Sequence, residues 1–165
     1  MENYPKPVSK QCTKIILNQI DNSICKINEG KGVFHIGVLC YIKCENKNIP
    51  VLITTYKIIN EKFLANKNSI NIFTNNKFIE IEFGNKRYLN EYLDLSIIEI
   101  KNNHNEILNY IELDDNLYEK DSEFLYNKES IYIINYYNGN NYVSYGVIND
   151  IIKSKLICSC NINSI

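Results

Sequence analysis

The sequence predicts an all-β chain: a closed antiparallel β-barrel of six strands, an incomplete second barrel, and a short N-terminal helix. Three observations lead there. Two apolar, β-branched runs, Val51 to Asn60 (VLITTYKIIN) and Leu93 to Ile100 (LDLSIIEI), have the composition of strands buried on both faces. A third run, FIEIEF, alternates: Ile79, Ile81 and Phe83 share one face, while Glu80 and Glu82 lie on the other beside Phe78, so it reads as half buried. Between Ser23 and Lys101 six such segments follow one another, the number that suits one closed barrel.

Taken in order, Pro5 and Pro7 keep the start extended. Ser9 offers an N-cap, and Cys12, Ile15, Ile16, Gln19 and Ile20 recur at helical spacing, which predicts a helix from Ser9 to about Asp21. Ser23 to Asn28 alternates and begins the strands. Glu29 to Gly32 is a turn; it lacks the spacing of a phosphate loop and leads into no helix. Val33 to Cys44 is a long strand, in which Gly37 marks a bulge or a close backbone approach. Glu45 to Asn48 forms a hairpin loop, and Ile49 to Thr55 the partner strand, with Pro50 tolerated near its start. Lys57 to Leu64 forms a helical turn. Ser69 to Phe73, a turn at Thr74 to Asn76, and Lys77 to Phe83 make a hairpin, and Leu95 to Lys101 completes the set.

Asn102 to Lys128 is polar and reads as a solvated connection, packed in places by Leu113, Leu117 and Phe124. Its acidic residues lack the spacing of a calcium loop. Ile131 to Tyr137, a turn over Asn138 to Asn141, Tyr142 to Asn149 and Lys155 to Cys160 supply three more strands, too few to close, so this half carries open edges. The expected division is 1–103 for helix and first barrel, and 104–165 for connection and partial barrel.

The 18 Lys and Arg and 19 Asp and Glu nearly cancel, and the lysines are interleaved with acids, so no nucleic-acid partner is expected. The chain has neither an apolar stretch of membrane-spanning length nor an apolar run near Met1, so we expect no membrane association and a cytoplasmic location. In that setting the six cysteines read as free thiols. Cys40 and Cys44 share a strand face, as do Cys158 and Cys160. A four-thiolate zinc site could be assembled from them, but neither spacing is that of a zinc knuckle, so no metal and no cofactor is expected.

The two apolar runs also carry a resemblance. Leu52, Ile53, Thr54, Thr55, Tyr56 and Ile58 fit the L-I-T-x-x-H-V/I segment of trypsin-like (chymotrypsin-fold) serine peptidases, and the Leu93 to Ile100 run is similar to their D-I/L-x-I-I-x-I segment. Gly37 to Ile42 looks like the strand entering the family's first barrel, and Tyr142 to Asp150 with Ile157 to Ser164 like the strands that lead to its nucleophile. The resemblance implies that Lys57 stands at the histidine position and Asp94 at the aspartate position. The family's nucleophile and oxyanion loop would follow Ser164, where the sequence stops, so the domain is expected to be degenerate and C-terminally truncated.

A serine peptidase needs a hydroxyl, a base that is neutral near pH 7, and a carboxylate that orients the base. Histidine, with a free pKa of roughly 6.5, is such a base; lysine, at roughly 10.4, becomes one only when buried. Cys158 and Cys160 could be offered as substitute nucleophiles, but no histidine faces them; His35 lies on a strand and His104 in a loop. No catalytic set is therefore intact, and Lys57 and Asp94 are expected to form an ion pair. The resemblance implies a non-catalytic domain that binds protein or extended peptide, or self-associates through its open edges. The alternative is a serine endopeptidase domain whose nucleophile segment comes from a C-terminal continuation or a partner chain.

Overall fold

The protein is described by a computed structural model over residues 5–28, 34–44, 47–101, 108–118, 125–137, 140–152 and 155–160. The turn expected at Glu29 to Gly32, Glu45, His104, Phe124, Asn138, Gly139 and Ser164 lie outside the described residues, as does the side chain of Leu117. Two compact units form, Lys14–Leu113 on the one hand and Met1–Thr13 with Asp114–Ile165 on the other.

Helix α1 (Lys10–Asn22) begins as its cap requires: the Ser9 hydroxyl accepts from the Cys12 N–H at 3.1 Å. Its packed side is narrower than the spacing predicts. Ile16 is buried, but Cys12 and Ile15 stay in solvent. The helix C-terminus is tied down instead by polar bonds, with the Asp21 carbonyl accepting from Asn75 N–H and the Thr74 hydroxyl.

Six strands then close on themselves: β1 (Ile24–Asn28), β2 (Phe34–Cys44), β3 (Lys47–Thr54), β4 (Ser69–Thr74), β5 (Lys77–Asn90) and β6 (Leu95–Ile100), in the order β1-β4-β5-β6-β3-β2, with β2 returning to pair with β1. All six pairings are antiparallel. The closed six-stranded barrel is the one the alternation predicts. Its interior is aliphatic: Ile27, Leu39, Leu52, Ile72, Ile81 and Ile98 are almost wholly enclosed. Between β4 and β5 both turn residues, Asn75 and Asn76, have positive φ (47° and 57°), the conformation a tight hairpin needs and one asparagine tolerates.

Three details differ from the sequence reading. β3 is indeed buried on both faces, with Pro50, Val51 and Leu52 consecutively enclosed, but β6 alternates, burying Ser96, Ile98 and Ile100 while Leu95, Ile97 and Glu99 are half-exposed. Second, β5 runs past Phe83 to Asn90 through a bulge, where the three residues between Phe83 and Arg87 are matched by one, Glu99, on β6. The Glu99 carboxylate holds it, accepting from the Lys86 N–H at 2.8 Å, and the glutamate side chain lies where a Cβ on Gly84 would be. Third, the segment after β6 is not simply solvated. Leu108 is buried in the barrel core with Tyr110 packed against it, and β7 (Ile111–Glu112) adds to β2 in parallel, while Leu113, expected to pack, is 43% exposed.

The second unit contains a three-stranded antiparallel sheet, β8 (Ser130–Tyr137), β9 (Asn140–Ile152) and β10 (Lys155–Cys160), with β9 in the centre. β8 pairs with β9 as the predicted hairpin, β10 adds to the other side of β9, and β9 is longer at each end because Asn140 and Asn141 already pair with Tyr137 and Tyr136 and Asp150 to Ile152 pair with Ile157 to Lys155.

Candidate functional site

Thr54, the last residue of β3, pairs with Ser96 at the start of β6. The chain leaving β3 and the chain arriving at β6 therefore run side by side. After Thr54 the backbone turns, with Ile58 and Ile59 N–H groups donating to the Thr55 carbonyl, and both isoleucines plunge into the barrel core. Ser96, fully buried, donates its hydroxyl to the Ile59 carbonyl at 2.5 Å and so fixes the turn from beneath. The turn ends where Asn60 caps the short helix α2 (Glu61–Asn66), accepting from the Phe63 N–H at 3.0 Å.

On the other side, Asn90 Oδ1 accepts from the Leu93 N–H, and Asp94 N–H donates to the Glu91 carbonyl. Asp94 itself sits at φ 49°, a left-handed conformation that aspartate adopts more readily than most residues. That places its carboxylate against the β3 turn. Oδ1 accepts from the Lys57 backbone N–H at 3.1 Å, and Oδ2 meets Lys57 Nζ at 3.1 Å. The ammonium, first, and these backbone donors hold the Asp94 carboxyl below its ordinary pKa. The pair is open to water: the Lys57 side chain is 81% exposed. Next to it Tyr56 donates to Glu61 Oε2 at 2.5 Å; the bond pushes the tyrosine pKa up to about 12 and lowers that of the glutamate.

Lys57 and Asp94 are thus brought together, as the sequence reading requires. The remaining candidates are elsewhere. His35 is half-buried on β2 opposite Ile27. Ser144 accepts from Asn135 Nδ2, and Ser159 donates to Asn149 Oδ1 at the limit of a hydrogen bond, 3.5 Å. Cys25 and Cys40 are core residues, and burial drives their thiols up to about 12 and about 11, which keeps both protonated near neutral pH. Cys40 and Cys44 belong to the barrel unit and Cys158 and Cys160 to the other. Among the described residues no three His, Cys, Asp or Glu side chains gather as a metal site.

One feature of the surface was not anticipated. A cleft of about 440 Å³ opens between α2 and the strand ends of β1 and β4. Ile27, Ile58 and Ile70 form its apolar wall, while Lys67, over the Phe63 ring at 5.4 Å, and Glu80, accepting from Ser69 at 2.6 Å, stand at its polar side. The Asn60 cap before an apolar Phe-Leu pair was the available signal for α2, which forms one wall. No protein-family model matches the chain, and a comparison with curated proteins finds no match.

Proposed function

We propose that this chain is a trypsin-like domain that does not cut peptides and serves in the cytoplasm as a protein-binding module. The observation that carries this reading is the contact between Lys57 and Asp94. A closed antiparallel barrel is compatible with the first barrel of a chymotrypsin-like domain, and in it the two segments that resemble the family's histidine and aspartate segments meet at 3.1 Å, with a lysine in the histidine position. Burial is what turns a lysine into a base, and Lys57 points into water. Nor is Ser96, two residues from Asp94, a free hydroxyl, since it is enclosed and bonded to Ile59. Free thiols at all six cysteines are consistent with a reducing compartment. Among the described residues no helix is long and apolar enough to cross a membrane.

The binding mode favoured is strand addition: β8 and β10 are the outer strands of the three-stranded sheet, and an extended peptide or a second copy would pair along one of them. A fluorophosphonate probe tests the loss of catalysis. No stoichiometric labelling is expected of the native chain, and Lys57→His alone should not confer turnover of a peptide ester. Labelling at one equivalent, or turnover by that variant, would refute the reading. Peptides selected from a random display library should slow amide exchange in β8 or β10; slowing confined to the barrel strands would remove strand addition as the mode.

A further inference from the structure

β10 carries cysteines at 158 and 160, two positions apart, so both side chains leave the same face of the strand. Their sulfurs lie 3.6 Å apart, with the Cys160 thiol donating to the Cys158 sulfur. That is far beyond the ~2.05 Å of a disulfide. It is close to the edge of a zinc–thiolate tetrahedron: at a Zn–S distance of about 2.3 Å, two sulfurs at the tetrahedral angle are about 3.8 Å apart. The pairing of β10 with β9 shifts register immediately before the pair, with Asn149 of β9 the extra residue, and this sets which β9 residues face the two cysteines. Opposite Cys160 stands Gly146, and a Cβ there would strike the Cys160 sulfur and the Ser159 carbonyl, so the thiol occupies the space a side chain would take. Opposite Cys158 is the buried Ile148. Both thiols are half-buried, within reach of solvent.

We propose that Cys158 and Cys160 form a two-thiolate chelate for a soft divalent cation, zinc being the ordinary one. On binding, each thiol gives up its proton to solvent and each thiolate forms one bond to the metal. The double positive charge offsets two thiolates that repel each other at this distance. Because no third protein ligand joins them among the described residues, the remaining coordination positions are open to water or to a donor from outside the chain. This is a smaller site than the four-thiolate one weighed from sequence.

The test uses the full chain, reduced with a reagent that is not itself a thiol and titrated with cobalt(II), then zinc(II). A thiolate-to-cobalt charge-transfer band should grow to saturation at one ion per chain or one per two chains and bleach when zinc displaces it. Cys158→Ser and Cys160→Ser should each lose the band; a Cys12→Ser/Cys44→Ser double variant should keep it. In the unaltered protein, zinc should slow alkylation of Cys158 and Cys160 together, read by peptide mass mapping. Absence of the band, its persistence in both serine variants, or zinc that shields neither thiol would overturn the proposal.

Discussion

In the barrel unit the first two strands pair with each other over five residue pairs, Ile24↔Val38 to Asn28↔Phe34, so each of the six strands has a neighbour on both sides. In the second unit only β9 does; β8 and β10 have one neighbour each. Isoleucine recurs in the strands of both units. What differs is where their side chains end up. Leu52, Ile72 and Ile81 are wholly enclosed, whereas on β10 Leu156 and Ile157 are 41% and 44% exposed, and among the described residues of the three-stranded sheet the buried ones are Gly146, Val147, Ile148 and Ile151, all on its middle strand. Closure gives a sheet an inside of its own; an open sheet gets one only from whatever else packs on it.

Five substitutions probe that contrast. Leu52→Ala should cost the most, about 2–5 kcal/mol of unfolding free energy in a urea titration, because it empties a fully enclosed site. Ile157→Ala removes an apolar side chain of the same size from β10 and should change stability by about 0.5 kcal/mol or less; equal losses at the two sites would break the contrast. Gly37→Ala should cost about 1–3 kcal/mol, since its methyl would lie 2.6 Å from Leu52 Cδ1 and 2.8 Å from the Cys25 sulfur, both locked in the core. Gly84→Ala, whose methyl meets the Glu99 side chain, should cost less, because that side chain can swing toward solvent. Ser96→Ala leaves the Ile59 carbonyl buried without its donor and should cost about 1–3 kcal/mol, a measure of how far the barrel depends on polar as well as apolar contacts.

A small effect that depends on pH belongs to Asp94→Asn. Its carboxyl titrates lower in the folded chain than in the unfolded one, so its contribution is present above the unfolded value and is lost as pH falls through the folded value. The variant should melt below the native protein at neutral pH, and the two melting curves should converge as acid protonates the aspartate. Added salt should narrow the neutral-pH gap, because the pair faces water. A gap that persists in strong acid would mean that the left-handed turn at Asp94, not its charge, is what the substitution disturbs.

The barrel was legible because its strands signal locally: FIEIEF announces by alternation which face is buried, and VLIT by its unbroken apolar run that both are, without reference to any partner. The pairing of Lys57 with Asp94 was legible only through the resemblance, since nothing within either run indicates the other. What stayed hidden depends on residues far apart in sequence. β5 ends at Phe83 by its own pattern, and only the Glu99 carboxylate, reaching across from β6, shows why it continues. Leu108 lies in a polar stretch whose composition masks a single core residue. For the cysteines of β10, parity puts both on one face, but a single sequence displays neither their 3.6 Å separation nor the Gly146 that stands across from Cys160 and leaves its thiol room.

The bulge in β5 has a consequence for how this chain can change in length. Between Phe83 and Arg87 it takes up two residues more than β6 supplies, and Leu89 beyond it still packs against the core as Phe83 does. A single extra residue does not flip a strand either: on β9 Asn149 is the extra one, and Ile148 and Ile151 on its two sides are both buried. The gain or loss of a residue among Gly84, Asn85 and Lys86 should therefore be taken up within the irregular stretch, leaving Leu89 opposite Ser96.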